Sequence, residues 1–180
     1  MENRSFDHMF GLMMDEIPGL RGVHIGEWTN VDDKGVVHRL TADAAYQGQF
    51  RVDPPHDFWS MNQQIYAHPG QPPTQQPRPD MQGFAATYAR AGGNPANIMK
   101  CFSPDRVPTV RALAKNYVVC DNWFCSVPGP TNPNRAFAHF GTTFGRVDNG
   151  PVWLVAVNQK LEHGIYGRLR NHGRKAKIYY

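Results

Sequence analysis

Apolar residues in this chain recur at the three- and four-residue spacing of a helix in five short stretches, separated by runs without a period. Phe58, Met61 and Ile65, with Trp59 beside them, predict a helix that opens at His56 or Asp57. Met81, Phe84, Ala85 and Tyr88 predict a second, capped by Asp80 and stopped by Gly92-Gly93. Asn94-Pro95 opens a short turn with proline in its first helical position. Pro108 opens a third helix, with Val110, Leu113 and Ala114 as its stripe. Pro133 starts a fourth, which runs through Phe137 and Phe140 and ends at Gly141. Ile165 and Leu169 mark the fifth, closed by Gly173.

Continuous apolar runs supply the strands. Tyr117-Val118-Val119-Cys120 reads as a buried, central strand ending at Asp121, and residues 152–157 and 178–180 read as two more. Around Asp33-Lys34-Gly35 the apolar flanks predict a hairpin. Residues 1–30 are irregular, broken by Gly11, Pro18, Gly19, Gly22 and Gly26. Helices alternating with short buried strands indicate an α/β fold with a mostly parallel sheet. Residues 69–79 hold five prolines and form a polar loop inside the domain.

Composition sharpens this picture in two places. The 17 glycines and 15 prolines among 180 residues require long, shaped loops and exclude a helical bundle or coiled coil. Charge is uneven. Residues 1–150 carry 13 Lys/Arg against 14 Asp/Glu, whereas residues 151–180 carry six cations against Glu162 alone. Such a basic end suits anionic lipid or nucleic acid, or is simply a solvated helix face. It has no aromatic platform or zinc spacing beside it, so a nucleic-acid partner is not expected. Three cysteines cannot frame a chain of this size, and one Cys120–Cys125 bridge with a free Cys101 is the open possibility. No apolar run is long enough to span a membrane, and the N-terminus lacks the order of a secretory leader.

Three segments could carry chemistry. In Asp121–Arg135 a strand ends, a rigid Pro/Gly loop follows, and Thr131 lands at the mouth of a helix. Open N–H groups there favour an anion such as phosphate, and Arg135, one turn in, offers a planar fork for its oxygens. Thr131 or Asn132 could equally be a plain helix cap. Glu2-Asn3 pairs a carboxylate with a carboxamide, two oxygen ligands for a cation, although a surface turn has the same composition. His56, between Pro55 and Asp57, stands at a stiff helix entry. His24, His38, His68, His163 and His172 lie in segments that read as exposed.

Taken together, Glu2-Asn3-Arg4-Ser5-Phe6-Asp7-His8 with Phe10-Gly11, Asp53-Pro54-Pro55-His56, and Asp121-Asn122-Trp123-Phe124 running into Val127-Pro128-Gly129-Pro130-Thr131 and Asn134-Arg135 resemble the bacterial phosphoesterase family. That family contains phosphatidylcholine-type phospholipases C and a related acid phosphatase. The likeness extends to Ile165-Tyr166-Gly167-Arg168-Leu169 and the final Tyr-Tyr. Thr131-x-Pro133-x-Arg135 also resembles the nucleophile motif of sulfatases in the same superfamily.

The resemblance implies an alkaline-phosphatase-like fold, here incomplete at both ends, with residues 1–180 as the N-terminal portion of one catalytic domain. It implies a phosphoric-ester hydrolase of the phospholipase C kind, with an acid phosphatase acting on monoesters as the alternative. A catalytically incompetent fragment, or a protein that binds anionic surfaces, is the third reading. Thr131 would be the nucleophile and His56 a second catalytic residue touching phosphate or leaving group. Asn134 and Arg135 would bind phosphate, and Glu2, Asn3 and Thr131 would hold a divalent metal cation. The substrate would be a phosphoester, with phospholipid and transient membrane-surface contact in view. Family members are usually exported, yet this chain shows no leader, which leaves its location open.

Overall fold

The computed structural model describes residues 4–46, 50–66, 79–150 and 163–177. These form an α/β protein of two compact units: Met1–Pro55 with Asn62–Trp123, and His56–Met61 with Phe124–Tyr180.

The first unit begins with helix α1 (Phe6–Phe10), whose N-terminus is capped by the Ser5 hydroxyl accepting the His8 N–H at 3.1 Å, and continues into a 3-10 turn at Gly11–Met13. The irregular reading of residues 1–30 is corrected here. A five-residue helix has no room for an apolar period, so its cap was the only local signal. Met9 and Met13 lie one turn apart and enter the core with Leu20, Ala44, Phe102, Val107 and Ala114. Gly22 crosses directly over the Gly11 carbonyl, and its own Cβ, had it one, would overlap that oxygen.

The hairpin forms as the sequence predicts, with β1 (Thr29–Val31) antiparallel to β2 (Val37–Arg39) and Asn30 facing His38. Asp32 organises the turn. Its Oδ1 accepts the N–H groups of Lys34 and Val36, both at 2.9 Å, and Gly35 takes the positive φ of 81° that the turn needs. Asp32 Oδ2 also meets His38 Nε2 at 2.9 Å, so His38 is a paired, largely covered side chain and not the exposed one expected. From β1, the buried Asn30 amide reaches helix α3 (Phe84–Arg90), accepting the Ala85 N–H at 2.8 Å and donating to the Met81 carbonyl at 2.9 Å.

Helix α2 (Phe58–Tyr66) starts where its period indicates, behind Asp57. Helix α3 starts later than predicted. Asp80 accepts the Gln82 N–H and so caps a turn, Met81 sits at a positive φ of 57°, and Gly83 is the true N-cap. The reason is packing, because a Cβ at position 83 would overlap the Gln63 carbonyl. Asn94 caps the 3-10 turn Pro95–Met99, as expected. Helix α4 (Pro108–Asn116) has proline in its first turn and buries Ala114, but leaves Leu113 exposed. Its Arg111 pairs with Glu16 at 2.7 Å and Asp105 at 2.9 Å, tying α4 to the N-terminal segment.

Residues 117–120 overturn the central-strand expectation. They belong to no strand, with Tyr117 73% and Val118 90% exposed. A buried parallel strand needs a ladder partner on each edge and cover on each face, and the described residues supply neither. Among those residues the sheet is the antiparallel pair alone, joined by single bridges at Thr41–Lys100 and Asp43–Phe102. The strands expected at 152–157 and 178–180, and nearly all of the loop at 69–79, lie outside the described residues. No described helix is long and apolar enough to cross a membrane.

All three cysteines are free thiols. Burial, assisted by the negative charge of Asp7, pushes the Cys101 thiol up to about 12, whereas Cys120 and Cys125 are exposed. A maleimide reagent at neutral pH will therefore label Cys120 and Cys125 in the folded protein and reach Cys101 only in denaturant, as counted by intact mass. Met13 is, with Pro133, one of the two largest fully buried side chains among the described residues. Met13→Ala will lower the unfolding free energy by about 2–5 kcal/mol in a urea titration.

Candidate functional site

The second unit contains the segment with most of the predicted chemistry. Phe124–Pro130 leads into helix α5 (Thr131–Phe140), which ends on Gly141 in the left-handed conformation. Thr131 is the first helical residue and is half-buried, while Pro133, placed in the first turn, is fully buried. The helix thus opens two residues before the predicted start, because proline fits any first-turn position whose N–H has no partner inside the helix.

Asn134 shapes the approach to Thr131. Its Oδ1 accepts the Val127 N–H at 3.1 Å, and its Nδ2 donates to the carbonyls of Val127 at 3.0 Å, Pro130 at 3.0 Å and Gly129 at 3.3 Å. One amide therefore gathers the whole Val127–Pro130 turn against the helix that it precedes. Val127 and Pro130 are buried beneath it. Asn149 makes a second clamp, accepting the Asn132 N–H on Oδ1 at 2.9 Å and the Asn132 Nδ2 on its carbonyl at 3.0 Å.

These clamps narrow the anion site inferred from the sequence. Pro133 has no N–H and that of Asn132 is taken, so the first turn presents the Thr131 N–H together with its hydroxyl. No side chain caps the helix from Pro130. Arg135 lies one turn further on, exposed.

His56 belongs to the same unit as Thr131, although 75 positions separate them. The connection runs through Gly129, where a Cβ would stand 3.6 Å from Phe58 Cα and 3.5 Å from the Val147 carbonyl. The loop two residues before Thr131 thus lies on the chain two residues after His56. His56 itself is exposed and immediately precedes Asp57, which caps α2 by accepting the Trp59 and Ser60 N–H groups at 3.0 Å. Burial alone would raise the Asp57 carboxyl, but the hydrogen bonds from Ser60 and Trp59 outweigh it and hold the group below its ordinary range.

Glu2 and Asn3, the other expected metal ligands, lie outside the described residues. Among the residues described, no cluster of three or more His, Cys, Asp or Glu side chains could hold a metal ion. Asp121, which the motif places just before the loop, is in the first unit and accepts the Arg21 N–H at 3.0 Å.

A polar residue that sequence reasoning passed over is His8. Its Nδ1 donates to the Lys100 carbonyl at 2.8 Å, which leaves the Nε2 lone pair buried and without a partner. Burial lowers its pKa, since a second proton would have no acceptor. Asn149 was missed as well, because nothing local marks it out from any other loop asparagine.

A model of the Phosphoesterase family matches residues 1–180. The chain belongs to that family. It is 37% identical over 148 residues to non-specific phospholipase C6 of Arabidopsis thaliana, covering 81% of this chain and 27% of that protein. To non-specific phospholipase C1 of the same plant it is 34% identical, over 100% of this chain and 33% of the relative. Phospholipase C B of Mycobacterium tuberculosis is 29% identical over 90% of this chain and 32% of its own length. The relatives thus include plant as well as bacterial proteins, which is broader than the bacterial resemblance noted above. This phosphoesterase chain spans about a third of the length of the curated relatives it matches.

Replacing Asn134 by alanine removes four hydrogen bonds and leaves the Val127 N–H without its acceptor. Asn134→Ala will lose about 1–3 kcal/mol of stability by denaturant unfolding. Its Val127 and Gly129 amides will exchange with deuterium faster than those of the wild type.

Proposed function

We propose that the chain is the N-terminal portion of a phospholipase C-like phosphoric-ester hydrolase of alkaline-phosphatase-like fold, with Thr131 as its nucleophile. The observation that carries this reading is the position of Thr131. It opens a ten-residue helix with its hydroxyl and N–H side by side, behind a loop pinned by Asn134, in the same unit as His56. The names of the family and of its phospholipase C relatives support the reaction class.

In this reading the Thr131 hydroxyl oxygen attacks phosphorus, the bond to the leaving alcohol breaks, and that alcohol departs with a proton. The intermediate keeps the head group as a phosphodiester of Thr131. Water attacks its phosphorus, the bond to the threonine oxygen breaks, that oxygen regains a proton and the phosphorylated head group leaves. A monoester instead passes through phospho-threonine and releases inorganic phosphate. The Thr131 N–H and the positive end of α5 face the charge that develops on phosphorus-bound oxygens. His56 contacts the phosphate or the leaving group, and Arg135 contributes its fork to the phosphate. Asn134, whose amide is bonded to the loop, positions Thr131 in addition to the phosphate contact that the motif suggests for it. A divalent cation bound through Glu2, Asn3 and Thr131 would supply the charge that lowers the pKa of the hydroxyl.

The test is hydrolysis of phosphatidylcholine and of p-nitrophenyl phosphate by the wild type, Thr131→Ala and Thr131→Ser. Thr131→Ala will lose turnover by at least about a thousandfold, because the hydroxyl is the attacking atom. Thr131→Ser keeps a hydroxyl and will retain measurable activity. Mass spectrometry of acid-quenched protein will find the phosphoryl group on residue 131. Preference for the lipid assigns the phospholipase activity, and preference for the monoester assigns the phosphatase. Full turnover by Thr131→Ala removes Thr131 as nucleophile.

A further inference from the structure

We propose that the basic surface of residues 165–177 is a docking face for anionic lipid bilayers, one that brings this phosphoesterase to its substrate interface. The inference rests on the phospholipase reading for its purpose, but its physical basis is separate. Helix α6 (Ile165–Asn171) packs on the end of α5 through two glycines. Gly164 lies against the Phe140 ring, where a Cβ would come within 2.7 Å, and Gly167 is buried. The Tyr166 and His139 rings sit 5.4 Å apart. With that side seated, α6 turns its larger side chains toward solvent. Gly173 then reverses the chain at a φ of 66°, and the Arg174 N–H returns to the Leu169 carbonyl at 2.8 Å. The segment after α6 is thereby held beside the helix.

The resulting surface carries Arg168, Arg170, Arg174, Lys175 and Lys177, all exposed, and residues 163–177 contain no carboxylate. Arg168 donates to the His163 carbonyl at 3.3 Å, and among the described residues none of the five makes an ion pair. Elsewhere Arg21, Lys100, Arg111, Lys115 and Arg146 are each matched to a carboxylate. Two apolar side chains interrupt the basic surface, Ile165 at 49% and Tyr166 at 42% exposed. Cations with long alkyl stems around an exposed Ile and Tyr match a charged headgroup layer over hydrocarbon. A duplex nucleic acid would use the charges but leave Ile165 without a partner.

The experiment is sedimentation of the chain with phosphatidylcholine vesicles that contain or lack phosphatidylserine, across a salt series. Binding will require phosphatidylserine and weaken as salt rises. Arg170→Gln, Arg174→Gln and Lys175→Gln combined will lower partitioning on the order of a hundredfold, at about fivefold per charge. The combined variant Arg170→Lys with Arg174→Lys will bind as the wild type does, which separates charge from fold. Ile165→Ser will reduce binding several-fold without changing its salt dependence. Hydrolysis of soluble p-nitrophenyl phosphate, if the protein performs it, will not change in the triple variant. Vesicle binding that ignores the three substitutions, or tighter binding to duplex DNA than to phosphatidylserine vesicles, overturns the inference. Vesicle binding by a protein inactive on every phosphoester would leave the docking face standing and remove the phospholipase reading.

Discussion

The Asn134 side chain, bonded to both ends of the turn that precedes its own helix, is the contact on which the candidate site depends. A loop of Val127-Pro128-Gly129-Pro130 has few ways to satisfy its own backbone, since two of its four residues lack an N–H. A single carboxamide both accepts and donates, and here its oxygen takes the Val127 N–H while its two Nδ2 hydrogens are shared among the carbonyls of Val127, Gly129 and Pro130. The two prolines restrict the loop from within, and Asn134 restrains it from the helix side. Thr131 is therefore delivered by a segment with little freedom left. In the role proposed for Thr131 that restraint matters, because reactive geometry tolerates errors of only about 0.5 Å.

The same restraint connects distant parts of the chain. Gly129 lies close to Phe58 Cα and the Val147 carbonyl, and this contact places the start of α2 beside the Val127–Pro130 loop. Asp57 then secures that end of α2 by capping it, so that His56 projects from a fixed helix entry. Elsewhere the molecule uses the same economy of means. The Asn30 amide seats the N-terminus of α3 on the hairpin, and the Asp32 carboxylate builds the hairpin turn while pairing with His38. Polar side chains buried in this way hold specific backbone arrangements where regular secondary structure is short.

The exposed apolar stretch around residues 117–124 is the main departure from the fold expected. Tyr117, Val118, Trp123 and Phe124 all stand in solvent, although their sequence has the character of a sheet interior. An apolar run states that burial would be favourable and does not provide the neighbours that achieve it. Val119 alone among them packs against the core of Met9, Met13 and Phe102.

Much of the local structure was legible in the sequence by itself. Proline opens α4, glycine closes α5 and follows α6, and Asp33-Lys34-Gly35 specified its hairpin, because turn chemistry acts within a few residues. The motif around Thr131 was legible for the same reason. What only the tertiary structure decided are the pairings of particular polar and close-packed groups. They include the use of the Asn134 amide within its loop, the clamp from Asn149, the late start of α3 against Gln63, the buried Nε2 of His8, and the company of His56 and Thr131 in one unit. None has a local signature, since a carboxamide or imidazole looks alike in sequence whether it faces water or a carbonyl. The partner is chosen by the packing that removes water from around it.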